Sequence, residues 1–169
     1  MGVPPMMTSP TRRVKEAFVV ADTLKAGSFH SPEALFASIE KLQHEVTSWT
    51  DNQIDAFIAQ DNPNRLRDYD RAQWKLDRVD LEKCTVWPHM GRRDWAEGGV
   101  MTVADLFRRH EPQQSRIWDM QKFGDIFSSR LPIIVFPVGP RVMIDDGSHR
   151  AVAMALAGLE SAVAWIGLL

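Results

Sequence analysis

Asp145, Asp146, His149 and Arg150 are near neighbours in the chain, separated only by Gly147 and Ser148. The stretch Val142-Met143-Ile144-Asp145-Asp146-Gly147-Ser148-His149-Arg150 runs straight into the small-residue segment Ala151-Val152-Ala153-Met154-Ala155-Leu156-Ala157-Gly158. An apolar strand ends in two carboxylates, a glycine permits a sharp turn, and a helix begins whose first N–H groups have no partner within the helix. Such donors, at the positive end of the helix dipole, attract an anion. His149 and Arg150 add side-chain donors there, and the planar arginine fork suits phosphate oxygens. The chemistry implied is phosphate positioning by the backbone of Gly147 and Ser148 through Arg150 and by the Arg150 guanidinium. His149 would donate to a non-bridging oxygen or serve as acid or base near neutral pH. Asp145 or Asp146 would hold Mg²⁺, which takes one or two carboxylates beside phosphates, or Asp146 would orient a water. Gly158 is expected to close the helix.

A blander account fits the same residues. Ser148 would cap the helix, and the two aspartates would solvate the turn. Under that account a basic residue in the first helical turn is an odd choice, because the dipole favours acids there. An anionic ligand removes the conflict.

Upstream, Leu131-Pro132-Ile133-Ile134-Val135-Phe136-Pro137-Val138-Gly139-Pro140-Arg141 precedes the Asp-Asp-Gly-Ser-His-Arg motif and the helix ending Ala-Gly. Together they resemble the ParB/sulfiredoxin superfamily, in which a Pro-Ile-(Val/Ile)-Val strand, a hairpin, an Asp-Gly-x-x-Arg turn, a small-residue helix and a last strand follow in this order. The last strand would be Ala162 to Ile166. Leu76-Asp77-Arg78-Val79-Asp80-Leu81 and Val86-Trp87-Pro88-His89 are similar to the family's opening strand and its Pro-containing segment. The likeness covers about 74–169 and is specific at the C-terminal motif. It implies an α+β fold of the ParB/sulfiredoxin type, a small mixed sheet flanked by helices, with 1–73 as a tail and helical extension packed on a nucleotide-binding domain of 74–169.

Departures from the family narrow what the resemblance implies. Sulfiredoxins carry a reactive cysteine where Ser148 stands, and a serine hydroxyl cannot do thiolate chemistry. No helix-turn-helix segment follows the last expected strand, so sequence-specific DNA reading through one is not expected. The likeness then points to stand-alone members, among them nucleotide hydrolases, nucleases and free-serine kinases. Some are small plasmid proteins of the fertility-inhibition type, which block conjugative transfer and combine ATPase with DNase activity. The implied ligands are ATP or CTP with Mg²⁺, and the implied partners are DNA, bound without sequence preference, and a DNA-transfer or partition machine. The family's pocket also places Arg92, with Arg93, after the Trp-Pro-His segment, and Ser128, Ser129 and Arg130 at the end of the helix before the Pro-Ile strand. An ordinary loop into a strand is the plainer account of the last three. Glu97 or Glu82 would supply the carboxylate that positions an attacking water, on chain order alone, exposed surface glutamate being the plainer state of each.

Composition sets bounds on these readings. With 169 residues, 44% of them hydrophobic, the chain is long enough for one main core with an appended helical unit. The single Cys84 excludes an internal disulfide and a multi-cysteine zinc cluster, in keeping with a cytoplasmic protein. The start Met1-Gly2-Val3-Pro4-Pro5-Met6 has neither a basic n-region nor an apolar h-region, and Met6 stands where a myristoylation signal needs Ser or Thr. The apolar stretch from Ala151 to Leu169 is interrupted by Gly158, Glu160 and Ser161, so a buried helix and strand are expected and no membrane span. A net charge of −2 gives no global attraction to nucleic acid. Basic clusters at Arg65, Arg67 and Arg71, at Arg92 and Arg93, and at Arg108 and Arg109 would have to act locally. The first is interrupted by Asp68 and Asp70 and reads as a solvated mixed-charge face.

The chain before Trp74 is expected to be helical. Ser31-Pro32 starts a helix with Leu35, Ile39, Leu42, Val46 and Trp49 on one stripe, and Thr50-Asp51-Asn52-Gln53 is a capping box for a second, with Trp49 against Ile54 as its staple. Asp61-Asn62-Pro63-Asn64 should end the pair. Thr102 to Asp105 would cap a short helix ended by Pro112, and another would run through Trp118 and Phe123. There is no Walker-type Gly-Lys-Ser loop. Three functions remain open: a nucleotide phosphohydrolase that also binds or nicks DNA, which the motif's reactive equipment favours; a phosphotransferase to a small hydroxyl compound such as free serine; and a nucleotide-gated binding module without turnover.

Overall fold

The computed structural model describes residues 8–25, 29–85 and 120–169. Four helices come first, and each starts with a side chain that closes an open backbone donor. Ser9 accepts from the Arg12 N–H ahead of α1 (Pro10–Leu24), and Ser31 accepts from Ala34 ahead of α2 (Pro32–Thr47). Both helices have proline in the first turn, where its missing N–H costs nothing. The capping box of α3 (Asp51–Asp61) is formed in both directions between Thr50 and Gln53. The Asn62-Pro63 pair, expected only as a terminator, also begins α4 (Pro63–Arg71), because the Asn62 side chain accepts from Asn64 and proline suits the first helical position. The helical layer therefore has four members among the described residues, two more than the capping signals picked out.

The chain then turns extended. Strand β1 (Gln73–Asp80) leads through a 3₁₀ turn at Leu81–Lys83 into the short β2 (Cys84–Thr85). After residue 119, α5 (Gly124–Arg130), β3 (Ile133–Val138), β4 (Arg141–Asp146), α6 (Ser148–Leu156) and β5 (Ser161–Leu168) complete the chain. The five strands form one mixed sheet in the order β1-β5-β3-β4-β2. β5 pairs antiparallel with β1, from Gln73 opposite Leu168 to Asp80 opposite Ser161, and parallel with β3. β3 and β4 form an antiparallel hairpin, and β2 lies parallel to β4 at the edge. The last strand is therefore interior, between β1 and β3, which accounts for its apolar run: Ala162, Ala164, Trp165 and Ile166 are all buried. The fold is α+β, as expected, with a mixed sheet flanked by helices. The segments around Val86 to His89, Thr102 to Pro112 and Trp118 lie outside the described residues.

One apolar cluster runs through both the helices and the sheet. Its aromatic part crosses the junction between them: Tyr69 of α4 packs edge-on against Phe18 of α1 at 6.1 Å and against Trp74 of β1 at 5.4 Å, and Trp74 meets Phe136 of β3 at 5.3 Å. Edge-to-face pairs of this kind add about 0.5–1.5 kcal/mol each beyond area burial. The Trp74 indole N–H donates to the Tyr69 carbonyl at 2.9 Å, so α4 is tied to the first strand by a buried bond as well as by packing. Among the described residues no helix is long and apolar enough to cross a membrane.

Candidate functional site

Strand β4 delivers Asp145 and Asp146 to the rim of the sheet, and a fault in the strand decides where they point. Val135 pairs with Ile144 but Ile134 pairs with Asp146, so Asp145 is the extra residue of a β-bulge. A bulge breaks the strict alternation of faces and re-aims the side chains beside it. Both carboxylates reach cations of the helical layer. Asp145 Oδ2 accepts from Arg65 Nε at 2.9 Å and from the Tyr69 hydroxyl at 2.8 Å. Asp146 Oδ1 is 3.3 Å from Lys25 Nζ at the end of α1, and its Oδ2 accepts from Arg150 Nη2 at 3.0 Å.

Gly147 then turns the chain with φ of 103°, a left-handed conformation that suits glycine, and α6 begins. A Cβ at this position would lie 2.7 Å from the Ile133 side chain and 2.9 Å from Arg150 Nη2. The helix start has no side-chain cap and no acid in its first turn. Ser148 is already helical, so it does not play the capping part that the blander account gave it. At the other end Gly158 donates to the Ala155 carbonyl and Leu159 to that of Met154, a Schellman closure with Gly158 in the left-handed region, as expected. His149 is half-buried in the first turn.

The Arg150 side chain departs from the expectation. Its guanidinium is turned inward: Nη1 donates to the Leu131 carbonyl at 2.7 Å and to the Pro132 carbonyl at 3.3 Å, and Nη2 to Asp146. The fork that suits phosphate here braces the turn against the entry to β3. Burial depresses the guanidinium's pKa below the usual arginine range, with Asp146 offsetting part of that effect. For Asp146 the balance runs the other way. Burial works to push its carboxyl up, but the attraction of Arg150, Lys25 and Arg65 exceeds it and holds the group below the usual carboxylate range. Tyr69, fully buried and beside both carboxylates, has its phenol pushed well up and stays a donor.

The mixed-charge reading of Arg65 is also corrected. Its guanidinium lies over the Phe18 ring at 4.7 Å, pairs with Asp61 as well as Asp145, and donates to the Asp145 carbonyl at 3.4 Å. Burial, the largest single effect, opposes its charge, but Asp145, Tyr69 and Asp146 together outweigh burial and raise its pKa. Lys25 and Tyr69 were not singled out by sequence, and no local pattern marks them.

Of the residues expected at the site, Asp145, Asp146, Gly147, Ser148, His149 and Arg150 are brought together. Ser129 lies near the end of α5, where its hydroxyl donates back to the Asp125 carbonyl at 2.9 Å. Glu82 is exposed in the 3₁₀ turn. Arg92 and Glu97 lie outside the described residues. Among the described residues no group of three or more His, Cys, Asp or Glu is arranged to hold a metal ion. Comparison with known proteins finds no match: no family model, curated protein or solved structure is similar to this chain.

Proposed function

We propose that this is a nucleotide-phosphate-binding protein of the ParB/sulfiredoxin type, with the phosphates of ATP or CTP seated at the turn from β4 to α6. The observation that carries this reading is the uncapped start of α6: the chain turns at a left-handed glycine, no side chain caps the helix, and no acid occupies its first turn. A helix start of this kind is suited to an anion. Arg150 supports the reading from beneath by fixing the turn, and His149 is the side chain that would meet a phosphate oxygen.

A specific observation bears on whether the nucleotide is hydrolysed. Turnover with Mg²⁺, and with it the ATPase and DNase reading and action on DNA during plasmid transfer, calls for a carboxylate able to take the metal. Asp145 and Asp146 are both ion-paired, and the metal would have to replace Lys25 on Asp146, where the 3.3 Å contact is longer than those made by Arg65 and Arg150. This favours a nucleotide-gated binding module over a hydrolase. Equilibrium binding of ATP and CTP with Mg²⁺, phosphate release and plasmid nicking would be followed in wild type and His149→Ala. Binding without turnover, weakened in the variant, supports the module. Phosphate release that is lost in His149→Ala assigns a hydrolase instead, and failure to bind either nucleotide removes the proposal.

A further inference from the structure

A second polar constellation lies over Trp165 of β5, and none of Asp145 to Arg150 lines it. Over Trp165, between α1, α2, the end of α5 and the strands β1 and β5, opens a cleft of about 320 Å³. That is the lower end of the range of small-ligand pockets, about 300–1,000 Å³. Val20, Leu131 and Trp165 give it an apolar floor.

The polar groups around that floor are unevenly committed. Glu16, the carboxylate lining the cleft, is bonded to Arg12 at 2.7 Å, and Arg12 is held in turn by Asp51 and the Trp49 carbonyl. The Thr47 hydroxyl donates to the Gln43 carbonyl and the Ser129 hydroxyl to that of Asp125, so both protons are spent within their own helices. Arg13 and Arg130 differ. Each sits over an aromatic ring, Arg13 over Trp165 at 5.0 Å and Arg130 over Phe36 at 4.6 Å, and among the described residues neither has a carboxylate partner. Two guanidinium groups held over aromatic rings, beside an apolar floor and a neutralised acid, make a positive cleft with ten N–H donors between them, five on each fork.

We infer that this cleft binds a small organic anion with an apolar or aromatic body, its carboxylate, sulfonate or phosphate head taken by Arg13 and Arg130 and its body lying along Val20 and Trp165. Binding here is independent of the nucleotide reading. Leu131 and Pro132 line this cleft and also accept from Arg150 through their carbonyls, so its wall is braced by the same arginine that fixes the turn before α6.

The test uses the whole protein and two fluorescent probes of matched shape, anilinonaphthalene sulfonate and the uncharged N-phenyl-1-naphthylamine. The sulfonate should bind saturably at one site and lose at least about tenfold in affinity in Arg13→Gln/Arg130→Gln, as expected when charge-assisted bonds are removed. Both arginines are exposed, so the variant should keep the wild-type circular dichroism; should it not, Arg130→Gln alone is measured. The neutral amine should bind more weakly and be indifferent to the substitutions. Equal affinity of wild type and variant for the sulfonate overturns the assignment, and so does a neutral probe that binds as tightly as the charged one.

Discussion

Asp146 and Arg150 meet at 3.0 Å across the first turn of α6, and both are almost fully buried. The pair joins the last residue of β4 to the adjoining helix, and the remaining donors of the guanidinium tie that helix to Leu131 and Pro132 at the entry to β3. The turn is thereby held from three sides by one side chain. Its exposed edge is left to the backbone and to His149.

Removing one partner of a buried pair strands the other charge in a poorly solvated place, at a cost of about 3–5 kcal/mol. Arg150→Met should therefore lower stability by an amount in that range, measured as the shift of the urea midpoint at constant slope. A change below about 1 kcal/mol would mark the pair as solvent-screened and the buried geometry as wrong.

Acid should act through Asp146. Its carboxyl is held below its unfolded value, so the stabilisation is present above the unfolded pKa of about 3.9 and is lost as pH falls through the lower folded value. Urea midpoints of wild type should drop steeply below about pH 4. Asp146→Asn, less stable at neutral pH, should show a shallower acid limb. Parallel limbs in the two proteins would remove Asp146 as the titrating group.

Two glycines with positive φ make opposite demands. An alanine at Gly139 meets nothing within 4 Å, so Gly139→Ala should cost only the left-handed backbone penalty of about 1–2 kcal/mol. At Gly147 the same change adds close approaches to Ile133 and Arg150. Gly147→Ala should be the clearly more destabilised protein in thermal melts recorded side by side. Equal melting temperatures would deny the tight seat under the turn.

The capped helices were legible because their signals are local. Ser31-Pro32 and Thr50 to Gln53 announce their helices within four residues. Asn62-Pro63 is compatible with either a stop or a start, and only the tertiary context that buries Tyr69 selects the start. The Asp-Asp-Gly turn and the closure at Gly158 were likewise legible. The partners of its carboxylates were not: Lys25, Arg65 and Tyr69 lie 121, 80 and 76 residues away from the aspartates they contact, and no spacing rule reaches so far. The inward turn of Arg150 was hidden for the same reason, since it depends on carbonyls at Leu131 and Pro132 being stacked behind the helix.

Cys84 offers a check on the edge of the sheet. Burial, with some help from Asp80, pushes its thiol up to about 11, so at neutral pH it is protonated as well as inaccessible. Reaction with a disulfide reagent should be slow in the native protein and become fast in urea, with the change tracking unfolding. Native reactivity equal to that in urea would contradict the placement of β2.

The central claim is that the backbone at the start of α6 receives a phosphate. The most direct measurement tracks the amide resonances of Gly147, Ser148 and His149 while ATP or CTP is titrated with Mg²⁺. Saturable shifts at these amides, which the corresponding nucleoside does not produce, are the expected result. Amides that stay in place while the protein remains folded, at nucleotide levels that saturate ordinary nucleotide-binding proteins, would contradict it.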